Sequence, residues 1–301
     1  TIIIPTHNRP SALNRSLDYI KTLKIKSTII IVDSSKIDKK IKFHKYFHIP
    51  NKNANLKISQ ILQTIKTDYV LTVADDDLFI KDGLNKCLLF LEKNSDFIGV
   101  HGKYYTHSKV INLNFLNFYK FIPIKYPTEY IYSKKKKDLK RAIQYLNGKC
   151  PPLNYALFRS NIFKKVWKLA TIPKQEKVIF LETIPSFLFY FYGNIKSLEL
   201  PYITREKSFR TNVQKEFTDS KSYNLAKSFL TNFLLKEGSG YKKQLKLLNN
   251  SLNYLKTFEI TKFKRKAKFD FFVFKFYKII LVIYYIISQN YKFEKKLKKL
   301  I

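Results

Sequence analysis

Apolar residues fall into two kinds of run along this chain. Thr1-Ile2-Ile3-Ile4-Pro5, Thr28-Ile29-Ile30-Ile31-Val32-Asp33, Tyr69-Val70-Leu71-Thr72-Val73 and Phe97-Ile98-Gly99-Val100 are short, continuous and mostly β-branched. Such runs predict strands buried on both faces. Between them the spacing turns helical. Leu13, Leu17 and Ile20 share one face of residues 10–22, with Pro10 in the first turn, where its missing N–H has no helical partner to lose. Leu56, Ile58, Ile61, Leu62 and Ile65 mark a helix over 55–66, and residues 81–93 predict a third. Residues 43–48 are a weaker strand candidate.

Residues 104–135 read as an irregular, aromatic insertion ending in the run Lys134 to Lys137. Helices are expected at 136–147, 160–169 and 175–192. Strands are expected from Leu153 to Arg159 and from Ile195 to Leu200, the latter closed by Pro201. From about 221 the chain reads as helical and increasingly basic. Strands alternating with amphipathic helices define an α/β chain, its mostly parallel sheet flanked by helices. Ligands of such sheets sit beyond the carboxyl ends of the strands. Asp33 and the triplet Asp75-Asp76-Asp77 lie at two such ends.

A chain of 301 residues with 45% hydrophobic composition can bury a full core, which excludes a disordered protein. Its net charge of +35 favours anionic partners: nucleic acid, an anionic membrane or a phosphorylated substrate. Abundant Lys, Ile, Asn, Phe and Tyr beside scarce Gly also fit an AT-rich coding sequence, so charge alone names no partner. Cys87 and Cys150 have no metal or redox spacing; they suit a reducing cytoplasm and a place in the core. The chain starts inside an apolar run and lacks Met, as expected of a sequence without its natural start, with room for a short leader upstream. No P-loop, dinucleotide-binding glycine motif or Gly-X-Ser-X-Gly occurs, which disfavours kinases, dehydrogenases and esterases. His44 and His48 are four apart but have no third ligand in reach of sequence, so zinc is not expected.

Three carboxylates crowded at the end of an apolar strand repel one another unless a cation or hydrogen-bond donors compensate. Mg²⁺ or Mn²⁺ would do so while sharing its shell with phosphate oxygens. A solvated acidic turn capping the 81–93 helix through Asp77 or Asp82 is the competing reading. Glu182, inside the otherwise apolar stretch Ile179 to Ile184, poses a similar question, because a buried unpaired carboxylate is costly. Either it takes a proton in catalysis or it pairs with a nearby lysine.

Thr1-Ile2-Ile3-Ile4-Pro5-Thr6-His7-Asn8-Arg9-Pro10 resembles the opening strand and loop of family 2 glycosyltransferases, which have the GT-A fold. The usual wording there is Pro-Thr-Tyr-Asn-Arg, so His7 replaces the common aromatic. Ile29 to Ser35 resembles the second strand, where Ser34 replaces the second acid of Asp-Asp-Gly-Ser. Thr67 through Asp77 resembles the strand leading into the family's Asp-X-Asp motif. Val100-His101-Gly102, Leu153 to Arg159 and Pro201-Tyr202-Ile203-Thr204-Arg205 add likeness to a subgroup that carries an Asp-Asp-Asp triplet. The likeness covers about residues 1–210.

The resemblance implies roles. Pro5, Thr6 and Arg9 would line the nucleotide pocket, and Asp33 would accept a hydrogen bond from the base, usually uracil. Asp75 would lie near the ribose, Asp77 would coordinate Mn²⁺ or Mg²⁺ with Asp75 beside it, and Asp76 would belong to the donor site. Lys57 is a candidate for the base or diphosphate region, against an ordinary surface lysine. Glu182 resembles the position of the catalytic base of inverting members, with Glu176 in reserve. Apart from the resemblance, Arg205 and Arg210 after Pro201 are expected on a loop closing over phosphates, or else as ordinary solvated charges.

Residues 256–301 hold 13 Lys and Arg against Glu259, Asp270 and Glu294, around Phe271-Phe272-Val273-Phe274 and the apolar run Ile279 to Ile287. That run is too short to span a bilayer. It predicts an in-plane anchor on an anionic leaflet, or a helix packed on the catalytic domain. The expected organisation is a catalytic domain at 1–220, with a nucleotide half (1–103) and an acceptor half (104–220). A helical, basic region follows at 221–301. The expected activity is transfer from a nucleotide-sugar, UDP-linked, to a glycan or lipid-linked acceptor in bacterial surface-polysaccharide assembly. The expected place is the cytoplasm, at the inner face of the cell membrane. The alternative is a non-catalytic basic protein on a decayed transferase fold that binds membrane or nucleic acid; nucleic acid is the less expected partner.

Overall fold

A computed structural model of the chain describes residues 1–38, 41, 45–50, 54–113, 116–124, 126, 129–171, 179–206 and 220–254. Nine strands form one sheet among them: β1 (Ile2–Thr6), β2 (Ile29–Asp33), β3 (Lys45–His48), β4 (Tyr69–Thr72), β5 (Leu78–Phe79), β6 (Phe97–Leu113), β7 (Leu116–Pro123), β8 (Leu157–Arg159) and β9 (Asn194–Glu206). Their order is β3-β2-β1-β4-β8-β6-β9-β5, with β7 on the outer part of β6. β1 to β4 are mutually parallel, and β6 and β9 run with them. β5, β7 and β8 run the other way. The sheet is the largely parallel, helix-flanked sheet of a GT-A fold.

Side-chain alternation decides which face each residue serves. Ile2, Ile4, Ile29, Ile31 and Leu71 join a core closed by α1 (Pro10–Thr22) and α3 (Lys81–Lys93). Ile3, Ile30, Val32 and Val70 face the other way. They pack against α2 (Ala54–Gln60), α4 (Leu139–Leu146), α5 (Ser160–Leu169), α6 (Ile184–Tyr192) and α7 (Ser220–Glu237). Burial on both faces is why these strands read as unbroken apolar runs.

Several expected elements take a different form. The 55–66 helix stops at Gln60 and continues as a 3₁₀ turn, Leu62–Thr64. The 153–159 strand shrinks to β8, since a turn in which Ala156 N–H donates to Leu153 O occupies its start. The expected insertion is instead a long hairpin, β6 continuing to Leu113 and returning as β7. His101, Lys103, Thr106 and His107 interrupt the apolar signature of β6, and pairing with β7 and β9 supplies what composition does not. Pro201 does not end β9. It sits where the β6–β9 register shifts, and the strand runs on to Glu206. Arg205 is therefore on a strand and not on a loop.

Of the helix expected at 175–192, a π turn at Ile179–Thr183 leads into α6, and 172–178, with Glu176, lie outside the described residues. Lys42 to His44 and Arg210 lie outside them as well. Ala226, Leu230, Phe233 and Leu234 of α7, with Leu248 and Leu252, join the same core as α6. The compact unit runs from Thr1 to Leu255. The anchor expected within 256–301 lies outside the described residues, among which no helix is long and apolar enough to cross a membrane.

Candidate active site

β1, β2 and β4 end side by side, and their last residues and the loops after them meet in one network of side chains. Thr6 is in register with Asp33. Ser34 N–H donates to Thr6 O at 3.1 Å, which carries the β1–β2 ladder one residue past the strands. Asn8 then takes a left-handed conformation (φ 52°), tolerated by a short polar side chain. Its N–H donates to Ser35 Oγ at 2.7 Å. This turn sends Arg9 back across the end of β4.

Arg9 meets the acidic triplet there. Its Nη1 donates to Asp75 Oδ1 at 2.7 Å, and its Nη2 to Asp76. The other Asp75 oxygen accepts from Thr6 Oγ1 at 2.6 Å. Thr6 thus contributes its hydroxyl as well as its backbone. Burial raises the Asp75 pKa, while Thr6 and Arg9 act in the opposite direction. Burial also opposes the Arg9 cation, but its bond to Asp76 and the charges of both aspartates outweigh that and raise its pKa.

Behind this network Lys57 is only 4% exposed. It is not a surface lysine. Its ammonium donates to Thr6 O at 2.6 Å and to Ser34 Oγ at 3.1 Å. Asp33 is fully buried, accepting from Ser35 N–H at 2.7 Å and from the Tyr46 hydroxyl at 3.0 Å. The two departures from the family pattern face each other: His7 Nδ1 lies 3.1 Å from both the main-chain oxygen and Oγ of Ser34. Pro5, part-buried, continues β1 opposite Val32.

Asp77 stands apart from its neighbours. Its Oδ1 accepts from Glu206 N–H at 3.0 Å, and its Oδ2 lies 3.6 Å from Arg205 Nε. Burial lifts its pKa to about 6 against the opposing pull of the Tyr155 hydroxyl and Arg205. Arg205 lies 5.0 Å above the Tyr155 ring. Burial works against its charge, yet Tyr155, Glu182, Tyr126 and Asp77 together raise its pKa. Glu182 accepts from Asn154 Nδ2 at 3.4 Å and acts electrostatically on both Tyr155 and Arg205. The acid from the second half of the chain thus shares Arg205 and Tyr155 with Asp77.

The model of glycosyl transferase family 2 matches residues 1–167, more than half of the chain. The chain belongs to that family. An uncharacterized glycosyltransferase of Rickettsia conorii is 30% identical over 118 residues, covering 35% of this chain and 19% of the relative. This family 2 chain therefore spans about a fifth of that relative's length. Among solved structures, S. aureus TarS residues 1–349 is similar at 12% identity and a TM-score of 0.48, over 77% of this chain and 65% of TarS 1–349. The same fragment in complex with UDP-GlcNAc is similar at 13% identity and a TM-score of 0.43, over 84% and 80%.

Family 2 enzymes commonly use divalent metals. Among the described residues no group of three or more His, Cys, Asp or Glu side chains is arranged to hold one. The acids present still fit such an ion, since Mg²⁺ is typically held by one or two carboxylates together with substrate phosphates. Asp77, buried and raised in pKa, is a carboxylate that a cation would relieve.

Tyr46, Ser35, Tyr155 and Glu206 escaped the sequence reading. Ser35 and Glu206 adjoin recognised positions and were within reach of it. Tyr46 reaches the site only through sheet pairing, and Tyr155, though inside the Leu153 to Arg159 segment, through the turn before β8.

Proposed function

We propose that this chain moves a sugar from a UDP-linked donor to a hydroxyl of a glycan or lipid-linked acceptor, with inversion, during bacterial surface-polysaccharide assembly. The reading rests on one juxtaposition. Asp33, the Thr6–Arg9–Asp75–Asp76 network and the Asp77–Arg205–Glu182 group meet beyond the carboxyl ends of β1, β2 and β4. Residues 1–103 are the donor half and 104–220 the acceptor half. In this reading the enzyme belongs to the Asp-Asp-Asp subgroup and acts in the cytoplasm at the inner face of the cell membrane.

In this reading Asp33 accepts from the base in a pocket lined by Pro5, Thr6, Arg9 and Lys57. Asp75 orients the ribose with Asp76 beside it. Asp77, assisted by Asp75, holds Mn²⁺ or Mg²⁺. Such an ion, when bound, neutralises charge on the departing nucleotide diphosphate. Glu182 takes the proton of the acceptor hydroxyl as that oxygen attacks the anomeric carbon and the bond to the diphosphate oxygen breaks.

Calorimetric titration with UDP-sugars, with and without Mn²⁺, tests the assignment beside donor hydrolysis. Asp77→Ala is expected to remove the metal-dependent heat and to slow hydrolysis by about a thousandfold while the protein stays folded. Metal-dependent binding and full activity in that variant would refute it.

A further inference from the structure

At the far end of the sheet the exposed run Lys134 to Lys137 is held from beneath by a buried cation. Arg141 is 2% exposed. Its guanidinium donates to the main-chain oxygens of Ser133, Lys135 and Lys136 at 3.1–3.3 Å. It also reaches those of Tyr190 and Phe191 and the side-chain oxygen of Asn194, at 2.9–3.1 Å. Asn194 returns a bond to Ser133 O at 3.0 Å and accepts from Ser133 N–H at 3.0 Å. The loop backbone is fixed, yet it sets four lysines above a buried guanidinium whose pKa burial lowers. Lys137 pairs with Glu237.

These lysines line a cleft of about 700 Å³ with Arg159 and Lys165 on its other wall. Asp96 is its one acid among the described residues. Arg159 is committed to the main-chain oxygens of Phe97, Leu91 and Asn94, and Lys165 lies 3.9 Å over the Tyr192 ring, so that wall is built in. Tyr132, 53% exposed, stands at the rim. The cleft lies where β6 and β9 begin, whereas Arg205 near the end of β9 faces the donor site. From Asn194 to Arg205 there is strand on the order of 35 Å, so this is a second site, not a part of the first.

We propose that the cleft and its lysine loop dock on the phosphate headgroups of an anionic phospholipid surface. Lysines are compact charges on flexible stems, without the fork that fixes one phosphate bidentately. Three of them side by side, next to an exposed tyrosine, suit a field of headgroups and not a single anion. The docking is independent of the donor-site reading.

Co-sedimentation of the full chain with phosphatidylcholine vesicles, with and without phosphatidylglycerol, tests this. The chain is expected to partition onto the phosphatidylglycerol vesicles only. The variant Lys134→Gln/Lys135→Gln/Lys136→Gln is expected to lose about tenfold or more in partition with unchanged thermal unfolding, whereas Lys21→Gln/Lys24→Gln/Lys26→Gln, exposed lysines elsewhere, is not. No binding by the parent chain, or an equal loss in both variants, would overturn the proposal. So would a single-stranded oligonucleotide that displaces the vesicles from the loop at equal charge concentration.

Discussion

Lys57 Nζ donates to the main-chain oxygen of Thr6 at 2.6 Å and so ties helix α2 to the end of strand β1. The same ammonium reaches Ser34 Oγ after β2 and lowers the Asp75 pKa by its charge. One buried cation thus joins the ends of β1 and β2 and acts through its charge on the acidic triplet.

Lys57→Met keeps the volume of the side chain and removes the charge. It is expected to weaken UDP binding by about ten- to a hundredfold, because Thr6 and Ser34 lose a shared charged donor. Lys57→Arg does not restore it, since a planar fork does not fit a pocket built for a compact ammonium. Calorimetric titration with UDP checks both. An unaltered dissociation constant in the Met variant would return Lys57 to a purely structural role.

Glu182→Gln should separate chemistry from binding. Gln retains an acceptor for Asn154 Nδ2 but takes no proton. A fall in kcat of about 10²–10⁴ is expected with little change in donor affinity. Single-turnover transfer is the measurement. If kcat holds, the base is another residue.

Asp77 predicts a pH-dependent cost in the ligand-free protein. Its pKa is about 6 in the fold against an ordinary 3.8, so the folded chain binds this proton more tightly than the unfolded chain does. Such a group costs stability where it is ionised, above about pH 6, and the cost fades as pH falls from there toward 4. Asp77→Asn should then raise the melting temperature by about 2–6 °C at pH 8 and by less at pH 5. Calorimetric scans at both values decide it; an equal shift at each contradicts the assignment. Metal-dependent nucleotide binding should weaken below pH 6 for the same reason, as the carboxylate takes up its proton.

Gly83 tests the seam between α3 and β9. An alanine there would place its Cβ 2.1 Å from Pro201 O. In an exposed helix the exchange gains about 1 kcal/mol from propensity. Here the overlap dominates, and Gly83→Ala should destabilise by about 2 kcal/mol net. Chemical denaturation reads the sign directly.

Legibility in the sequence followed locality. Ile2 to Ile4 and Ile29 to Val32 were readable because burial on both faces leaves an unbroken apolar run, and Asp33 and Asp75 because a carboxylate stands out at the end of such a run. The full length of β6 was not, since it includes the buried His101 and His107, which bond to Tyr130 and Thr204 far away in the chain. Lys57 shows the same limit. Helical spacing alone leaves its face undecided, and only the closure of β1 beside β2 makes a buried acceptor for it.

The sequence by itself determined the alternation of strands and helices, the family and the place of the acids at strand ends, because each depends on residues near in the chain. Tertiary structure alone decided that Glu182 shares Arg205 and Tyr155 with Asp77, that Lys57 is buried, and that Arg141 ties the lysine loop to Tyr190, Phe191 and Asn194. Those relations join residues whose separation in sequence bears no relation to their distance in the fold, and long-range strand pairing and packing set that distance.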